Sequence, residues 1–197
     1  MCLEVSAMDV FEAIHTTRAM RRLDPNRRVA DADLRRIIEA ATKAPSGGNS
    51  QPMRWIVVTD PDKRRLGEVY RRCAAGLMED SDEPKIARSS WYLIEHFGEA
   101  PVLIVACCEG LARRPASVFP AVQNALLAAR ALGLGTTLTT SHLQDETAVK
   151  LILGIPDEVA TYCIIPVGYP IGRWGEAVRK PVDQVTYRDT WGNRFEA

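Results

Sequence analysis

This chain of 197 residues lacks the features that mark several large classes of protein. It has no apolar run long enough to span a bilayer. The N-terminal residues include acidic side chains, and no basic segment is followed by the apolar segment of a signal peptide. We therefore expect no secretory signal. Its 25 basic and 25 acidic side chains balance, so no bulk charge attracts nucleic acid or a membrane surface. We therefore expect a cytoplasmic protein that binds neither.

Cysteine is scarce and irregularly placed. The five cysteines form an odd number, with no CxxC motif and no Cys/His ligand spacing. This pattern predicts neither a disulfide framework nor a zinc site, and it fits a reducing compartment. Cys107 and Cys108 lie inside an apolar run, where we expect them to pack as small hydrophobic side chains.

Common catalytic and nucleotide-binding motifs are also missing. No GxGxxG follows a predicted strand and no P-loop motif occurs, so neither a dinucleotide fold nor a P-loop is predicted. There is no HExxH motif. His15, His96 and His142 are scattered, and no serine or cysteine elbow indicates a hydrolytic triad. We assign no side chain as a catalytic acid or base, and no metal ligand.

The apolar pattern predicts one domain that mixes helices and strands. The run at 100–108 is continuously apolar and is predicted to be a central strand. Residues 169–197 lack helical periodicity and are predicted to form a tail outside the core at 8–168. Such a tail needs a surface on which to pack, and a second subunit is a natural candidate. Helices are predicted over 8–16, 31–42, 60–77, 86–97, 117–132 and 145–153, and strands over 54–59, 100–108, 135–140 and 160–168.

An abrupt loop separates the second predicted helix from the first strand. Residues 44–55 read APSGGNSQPMRW. Pro45 biases the chain out of the helix, and the glycines at 47 and 48 permit positive φ. We expect exposed backbone N–H groups beside serine, asparagine and glutamine side chains, which suit a planar heteroaromatic ligand. An ordinary helix-to-strand loop is an equally good interpretation of this segment alone.

Arginine is concentrated after the first predicted helix. In an extended segment Arg18 and Arg22 point one way and Arg21 the other, whereas in a turn Arg18 and Arg21 converge on one anion. A guanidinium group suits phosphate because its planar fork donates two hydrogen bonds at once. The alternative is a solvated charged surface.

Two other segments have more than one interpretation. Residues 136–140 read TTLTT, and their hydroxyls either pair across a sheet or line a polar pocket. The helix at 86–97 carries aromatic residues after an acidic stretch at 79–84. Aromatic residues at helical spacing usually pack in a core, and a mobile lid over a ligand is the alternative.

Four segments, taken in order, resemble the FMN-dependent nitroreductase family from about residue 8 to residue 187. They are RAMR at 18–21, the loop at 44–55, LGLGTT at 132–137, and PVGYP at 166–170 followed by RKP at 179–181. The resemblance implies an α+β fold, a three-layer sandwich with a central sheet flanked by helices. It also implies a homodimer with two FMN sites at its interface, in which the C-terminal tail is exchanged between the subunits.

The resemblance also implies roles for individual residues. Basic residues of the N-terminal motif hold the FMN phosphate or the pyrimidine edge of the flavin, and the basic residue of the tail completes the phosphate clamp. The loop borders the isoalloxazine from the other subunit, and the segment at 139–141 lies near the ring. The implied cofactor-binding residues are Arg18, Ala19, Arg21, Pro45, Ser46, Gly47, Asn49, Thr139, Thr140, Ser141 and Arg179.

The chain departs from the family's Arg-Arg-Ser-x-Arg pattern at two positions. Thr17 stands at the first arginine and Ala19 at the serine, so one guanidinium and one hydroxyl are missing. Each lost hydrogen bond to a charged group weakens FMN binding by about 1–3 kcal/mol, roughly tenfold to a hundredfold. Arg22 is a candidate to compensate.

The implied activity is a ping-pong oxidoreduction in which NAD(P)H gives a hydride to flavin N5 and an electron-poor acceptor, a nitroaromatic or a quinone, then takes it. A flavin cofactor needs binding, orientation and electrostatics from the protein, which explains the absence of a catalytic dyad. The alternatives are a reductive dehalogenase, a member that consumes its own reduced flavin, a non-catalytic flavin-binding protein, and an interaction domain without flavin.

Overall fold

The computed structural model describes residues 8–79, 84–110 and 114–195. Within these ranges the chain forms two helix pairs, each followed by a strand, and then single helices and strands in turn, with a few short 3-10 turns. The helices are α1 (Val10–Thr16), α2 (Asp31–Thr42), α3 (Asp62–Glu79), α4 (Pro84–His96), α5 (Pro115–Ala131) and α6 (Glu146–Leu153). The strands are β1 (Met53–Val58), β2 (Val102–Cys108), β3 (Gly135–Thr136) and β4 (Ala160–Gly168).

The four strands form one antiparallel sheet in the order β1-β2-β4-β3. Met53 pairs with Cys108 at one end of the sheet, and Val102 pairs with Val167 at the other. β1 and β3 are therefore the two edge strands, and β2 and β4 are central. The prediction of a central strand at 100–108 is confirmed.

Helices cover both faces of the sheet and give three layers. Alternate residues of β2 point to opposite faces: Leu103 and Val105 pack with α3 and α4, and Ile104 and Ala106 pack with α2 and α5. Every residue of β2 is buried because both of its faces are covered, which explains its continuous apolar sequence. The predicted three-layer α+β sandwich is confirmed.

Helix starts follow local sequence rules. The Asp9 carboxylate accepts hydrogen bonds from the N–H groups of Phe11 and Glu12, at 2.9 and 3.4 Å, as the N-cap of α1. Asp145 caps α6 in the same way, through the N–H of Ala148 at 3.2 Å. Both aspartates satisfy donors that would otherwise lack a partner in the first helical turn.

The predicted strand at 135–140 is wrong over most of its length. Only Gly135 and Thr136 pair continuously with β4, and Thr139 returns for a single bridge to Ile164. Between them the Thr137 hydroxyl donates to the carbonyl of Met20 at 2.9 Å. The chain leaves the ladder at this point because Thr137 bonds to another segment.

The arginine-bearing segment at 17–23 is extended and runs alongside the β3 edge. Ala19 forms a parallel bridge with Thr136, and the N–H of Met20 donates to the Thr136 carbonyl at 2.8 Å. A Cβ at Gly135 would lie 2.8 Å from the Cβ of Met20. The absence of a side chain at Gly135 thus allows this segment to lie against the sheet.

The C-terminal tail first pairs with the 22–24 segment of the same chain and then becomes exposed. The N–H of Asp24 donates to the Tyr169 carbonyl at 2.9 Å, and the N–H of Ile171 donates to the Arg22 carbonyl at 3.0 Å. Farther along, Val178 and Trp191 are 96% and 90% exposed. Within the described ranges, no helix is long and apolar enough to cross a membrane.

Candidate functional site

A cavity of about 220 Å³ lies between α3, α4 and the segment that follows β3. Arg21 is the one charged residue among its described lining residues, and Leu93 and Ile94 form an apolar wall. The hydroxyl groups come from Tyr70 on α3, from Ser90 on α4 and from the 137–141 segment. The lining residues are Arg21, Tyr70, Ala74, Ser90, Leu93, Ile94, Thr137, Leu138, Thr139, Thr140 and Ser141.

Tyr70 supplies a buried polar group to this cavity. Its ring is buried and stacks on Phe97 with centroids 3.8 Å apart, and its hydroxyl contacts the side chains of Ser141 and Thr139. Burial raises the pKa of Tyr70, whereas Ser141, the charge of Arg21 and Thr139 act in the opposite direction. Tyr70 is therefore a neutral hydroxyl next to a cation at neutral pH.

The threonines of the 136–140 segment form hydrogen bonds to neighbouring backbone and also line the polar cavity. Thr137 and Thr139 are buried, and each donates its hydroxyl proton to a backbone carbonyl, Thr139 to that of Ile164 at 2.6 Å. Their oxygens remain able to accept hydrogen bonds. Thr140 is exposed, and Ser141, whose side chain contacts the Tyr70 hydroxyl, is half-buried; both line the cavity.

The three arginines of the extended 17–23 segment lie near three different parts of the chain. Arg21 is half-buried in the cavity. Arg22 lies over the ring of Tyr92, 4.6 Å from its centroid, so it is engaged with α4. Arg18 is exposed and approaches Gly175 in the tail, where a Cβ would be 4.0 Å from its Nη1. Within one chain, Arg18 and Arg21 therefore face different neighbours.

The loop at 44–50 uses most of its own backbone donors. The N–H groups of Asn49 and Ser50 donate to carbonyls inside the loop at 2.9 and 3.2 Å, and that of Gln51 donates to the Ser46 hydroxyl oxygen at 3.0 Å. The expectation of exposed N–H groups is thus wrong for most of the loop. The Asn49 amide and the Ser46 hydroxyl proton are side-chain donors that the loop can offer a ligand.

Positive φ angles give this loop its shape. Gly48, Asn49 and Gln51 have φ values of 59°, 53° and 47°. Two of these residues are not glycine, and left-handed backbone in such residues is concentrated at functional sites. The surrounding contacts must therefore fix the loop in this conformation.

Residues far along the chain provide those contacts. The N–H of Gly47 donates to the Ser117 hydroxyl at 3.2 Å, and the Arg114 guanidinium donates to the Ser50 hydroxyl at 2.9 Å. Arg54 donates to the Gln51 carbonyl at 3.2 Å. Sequence reasoning missed Arg114 and Ser117, because nothing local in the sequence relates the start of α5 to a loop more than 60 residues earlier.

The loop and the backbone of the Arg21 segment lie at diagonally opposite corners of the sheet. The loop precedes Met53 on edge strand β1, whereas the Arg21 segment runs alongside Thr136 on edge strand β3. Three inter-strand spacings separate the two edges by roughly 14 Å, and the length of β2 adds roughly 20 Å along the strands. Pro45, Ser46, Gly47 and Asn49 therefore do not meet Arg21 within one chain.

Arg179 is exposed on the tail. Its Nη1 donates to the Val178 carbonyl at 2.9 Å. Ala19 is also exposed, and its backbone forms the bridge to Thr136. In the described parts of the chain, no group of three or more His, Cys, Asp or Glu side chains could hold a metal ion.

A buried polar cluster lies behind Ser141. His142 is fully buried, with its Nε2 3.0 Å from the Thr161 hydroxyl oxygen. Burial lowers the pKa of His142 from its ordinary value to about 4, although the nearby Glu146 carboxylate acts in the opposite direction. The imidazole is therefore neutral in the folded protein.

Known proteins with similar sequences and structures point to one family. A sequence profile of the nitroreductase family matches residues 14–169. A protein of Methanothermobacter thermautotrophicus, named as a provisional NADH dehydrogenase/NAD(P)H nitroreductase, is 31% identical over 175 residues. That alignment covers 85% of this chain and 80% of the relative.

Two solved structures extend the comparison to the fold. Oxidized iodotyrosine deiodinase bound to FMN and 3-iodo-L-tyrosine superposes with a TM-score of 0.77 and 26% identity, over 92% of this chain and 99% of that one. A provisionally assigned nitroreductase of Desulfovibrio desulfuricans in complex with FMN gives a TM-score of 0.74 and 26% identity. The second match covers 93% of this chain and 98% of the other.

Proposed function

This chain belongs to the nitroreductase family, and on that premise we propose that it is an FMN-dependent oxidoreductase. When bound, FMN would supply the redox chemistry, a hydride transfer between NAD(P)H and an electron-poor acceptor such as a nitroaromatic or a quinone. The observation that carries the proposal is the cavity in which Arg21 meets Tyr70 and Ser141.

The chemistry of this cavity fits part of a flavin. Arg21 provides a cation for the pyrimidine edge, where it stabilises negative charge on the reduced cofactor. Leu93 and Ile94 offer an apolar surface, and Ser141 offers a hydroxyl. The cavity of about 220 Å³ is smaller than the roughly 300–1,000 Å³ of typical ligand sites, so we infer that one chain supplies only part of the site.

Arg18 and Arg179 are the proposed phosphate ligands. Arg18 already approaches the tail at Gly175, and Arg179 follows four residues later. Both guanidinium groups are exposed, so both can turn toward an anion without losing a buried partner. Two guanidinium groups give a dianionic phosphate several charge-assisted hydrogen bonds.

The remaining part of the site is proposed to come from a second copy of the chain. The loop at 45–49 lies at the opposite corner of the sheet from Arg21, so a homodimer could bring the loop of one subunit to the cavity of the other. Exposed apolar side chains support this assembly: Phe11 and Ile14 on α1 are 66% and 49% exposed. A groove of about 920 Å³ along α2, beside Val57 on the β1 edge, offers the partner's tail a surface.

The chain's own residues then bind and orient, and none of them needs to carry out acid–base chemistry. Tyr70 keeps its proton on Oη at neutral pH, because burial raises its pKa. Leu93 and Ile94 exclude water from one side of the cavity. Arg21 holds a fixed positive charge at the cavity wall, so the environment of the cofactor is set before a substrate arrives.

A second candidate acceptor is an iodinated phenol. The structural similarity to iodotyrosine deiodinase, at a TM-score of 0.77, favours testing this class. The same cavity would serve both reactions, because the cofactor site is common to them. Mono-iodotyrosine therefore belongs beside the nitroaromatic and the quinone in the first assay.

The test is the absorption spectrum of the purified protein after incubation with FMN and desalting. We expect a retained flavin spectrum that NADH or NADPH bleaches and that one of the three acceptors restores under anaerobic conditions. Retained flavin that neither donor bleaches would instead indicate a non-catalytic flavin-binding protein. Loss of all flavin on desalting, with no binding in a titration, would contradict the proposal.

A further inference from the structure

The end of α5 contains a charged side chain in an unusual position. Arg130 is only 7% exposed, although α5 is otherwise rich in alanine and packs against the sheet. A buried guanidinium group is costly unless it is paired and hydrogen-bonded. Its contacts therefore indicate what the residue is for.

Arg130 makes three contacts, with two different parts of the chain. Its Nε donates to the Thr16 hydroxyl at 2.8 Å, and its Nη2 lies 3.7 Å from the Glu12 carboxylate, both on α1. Its guanidinium carbon lies 4.3 Å from the ring centroid of Trp174 in the tail. Arg130 thus joins α1 to the tail across the end of α5.

The bond to Thr16 has a defined direction. The Thr16 hydroxyl donates its proton to the Glu12 carbonyl at 2.6 Å, so its oxygen is free to accept from Arg130. A cation near the last turn of a helix is also favourable, because the helix dipole is negative at that end. Both effects stabilise the C-terminal turn of α1 against Arg130.

Apolar packing alone holds α1 only weakly. The helix buries one residue, Ala13, and leaves Val10, Phe11 and Ile14 exposed. The Arg130 contacts are therefore a large share of what fixes α1 in this chain.

The two segments that Arg130 joins are the ones that lead to the proposed phosphate ligands. Arg18 comes two residues after Thr16, and Arg179 comes five residues after Trp174. Next to Trp174, Gly175 is also the residue that Arg18 approaches. The contacts of Arg130 thus fix the backbone just before Arg18 and the position of the tail next to Arg18.

We propose that Arg130 is a positioning residue for phosphate recognition: by joining Thr16 to Trp174 it holds Arg18 and the tail in register. The inference rests on the proposed function. Arg130 is not proposed to contact the phosphate, since its Nε is bonded to Thr16 and its ring-facing side is covered by Trp174. This role is compatible with the absence of an arginine at Thr17, since the remaining phosphate ligands must then be placed more exactly.

The test compares the affinities of FMN and riboflavin, which differ by the phosphate alone. We expect the wild-type chain to prefer FMN and Arg130→Met to lower FMN affinity by about tenfold while leaving riboflavin affinity nearly unchanged. Arg65→Met is the matched control, because Arg65 is exposed and pairs within α3 with Asp62 at 2.9 Å. Flavin fluorescence gives both affinities, and circular dichroism checks folding.

A second pair of variants covers the case in which Arg130→Met fails to fold. Trp174→Leu removes the aromatic face from a half-buried tail residue, and Trp174→Phe keeps one. We expect the FMN preference to fall in the leucine variant and to be largely kept in the phenylalanine variant. Equal weakening of both flavins, or no change in either, would overturn the positioning role. Failure of the wild-type chain to bind either flavin would instead refute the proposed function on which the inference rests.

Discussion

His142 and Thr161 form a fully buried hydrogen bond whose direction is fixed by a third residue. The Thr161 hydroxyl donates to Glu146 Oε1 at 2.9 Å, so its oxygen must accept from His142 Nε2 at 3.0 Å. The imidazole is therefore assigned as the Nε2–H tautomer. Its Nδ1 is buried and has no hydrogen-bond partner among the described residues.

This cluster predicts a specific loss of stability in acid. The pKa of His142 is about 4 in the folded chain and near 6.5 when unfolded, so between these values the unfolded state binds more protons. The contribution to the free energy of unfolding, about 3 kcal/mol, is present above pH 6.5 and is lost as the pH falls toward 4. Urea unfolding across pH 4–7 measures it.

Two histidine variants make that measurement specific. His142→Gln should flatten the pH dependence of the unfolding free energy, because the titrating group is gone. His15→Gln, at an exposed position on α1, should leave the profile as in the wild type. Parallel profiles for wild type and His142→Gln would show that His142 does not cause the acid sensitivity.

Arg21 and Arg22 are adjacent and should differ sharply in their effect on FMN. Arg21→Gln removes the charge from the cavity and should lower FMN affinity by roughly tenfold to a hundredfold. Arg22→Gln removes a guanidinium that stacks on Tyr92 and should change the affinity by less than about threefold. Fluorescence titration of each variant with FMN compares them directly, and equal effects would argue against the cavity as the flavin site.

Restoring the family's N-terminal pattern should tighten FMN binding. Ala19 is exposed and uses only its backbone to bridge Thr136, so Ala19→Ser adds a hydroxyl without disturbing the fold. We expect FMN affinity to rise by about three- to tenfold and riboflavin affinity to stay the same. A rise for both flavins would mean that the added hydroxyl does not act on the phosphate.

Gly135 should be intolerant of even a methyl group. Gly135→Ala places a Cβ 2.8 Å from Met20 and should destabilise the fold by about 1–3 kcal/mol through overpacking. Gly172→Ala, at an exposed tail position with no heavy atom within 4 Å of the added Cβ, is the control. Thermal unfolding of the two variants tests this, and equal melting temperatures would contradict the close packing of the 17–23 segment.

Local chemistry explains which parts of the fold the sequence predicted well. The nine-residue strand β4 agrees at both ends with its prediction, and α1 ends at Thr16 as predicted, because both depend on a few neighbouring residues. The strand predicted at 135–140 failed for a non-local reason. Thr137 bonds to Met20, a residue more than 100 positions earlier, and no β-propensity contains that information.

The candidate site likewise contains residues that the sequence predicted and residues that it could not predict. The family pattern identified Arg21 and the 139–141 segment, and the structure brings them together around one cavity. Tyr70 lies inside the helix predicted over 60–77, but helical spacing cannot reveal a hydroxyl that reaches Ser141. Arg22 was a candidate to compensate for Thr17, and its place over Tyr92 argues against that role.

Because the loop and Arg21 lie at opposite corners of one chain, two variants that are each defective could complement one another in a hybrid dimer. If each working site takes one corner from each chain, an Arg21 variant and an Asn49 variant damage different halves of every site. Mixing the two inactive proteins by refolding them together would then create hybrid dimers with one intact site each, and about a quarter of wild-type activity would return. Such intersubunit complementation is impossible for a site that lies wholly within one chain.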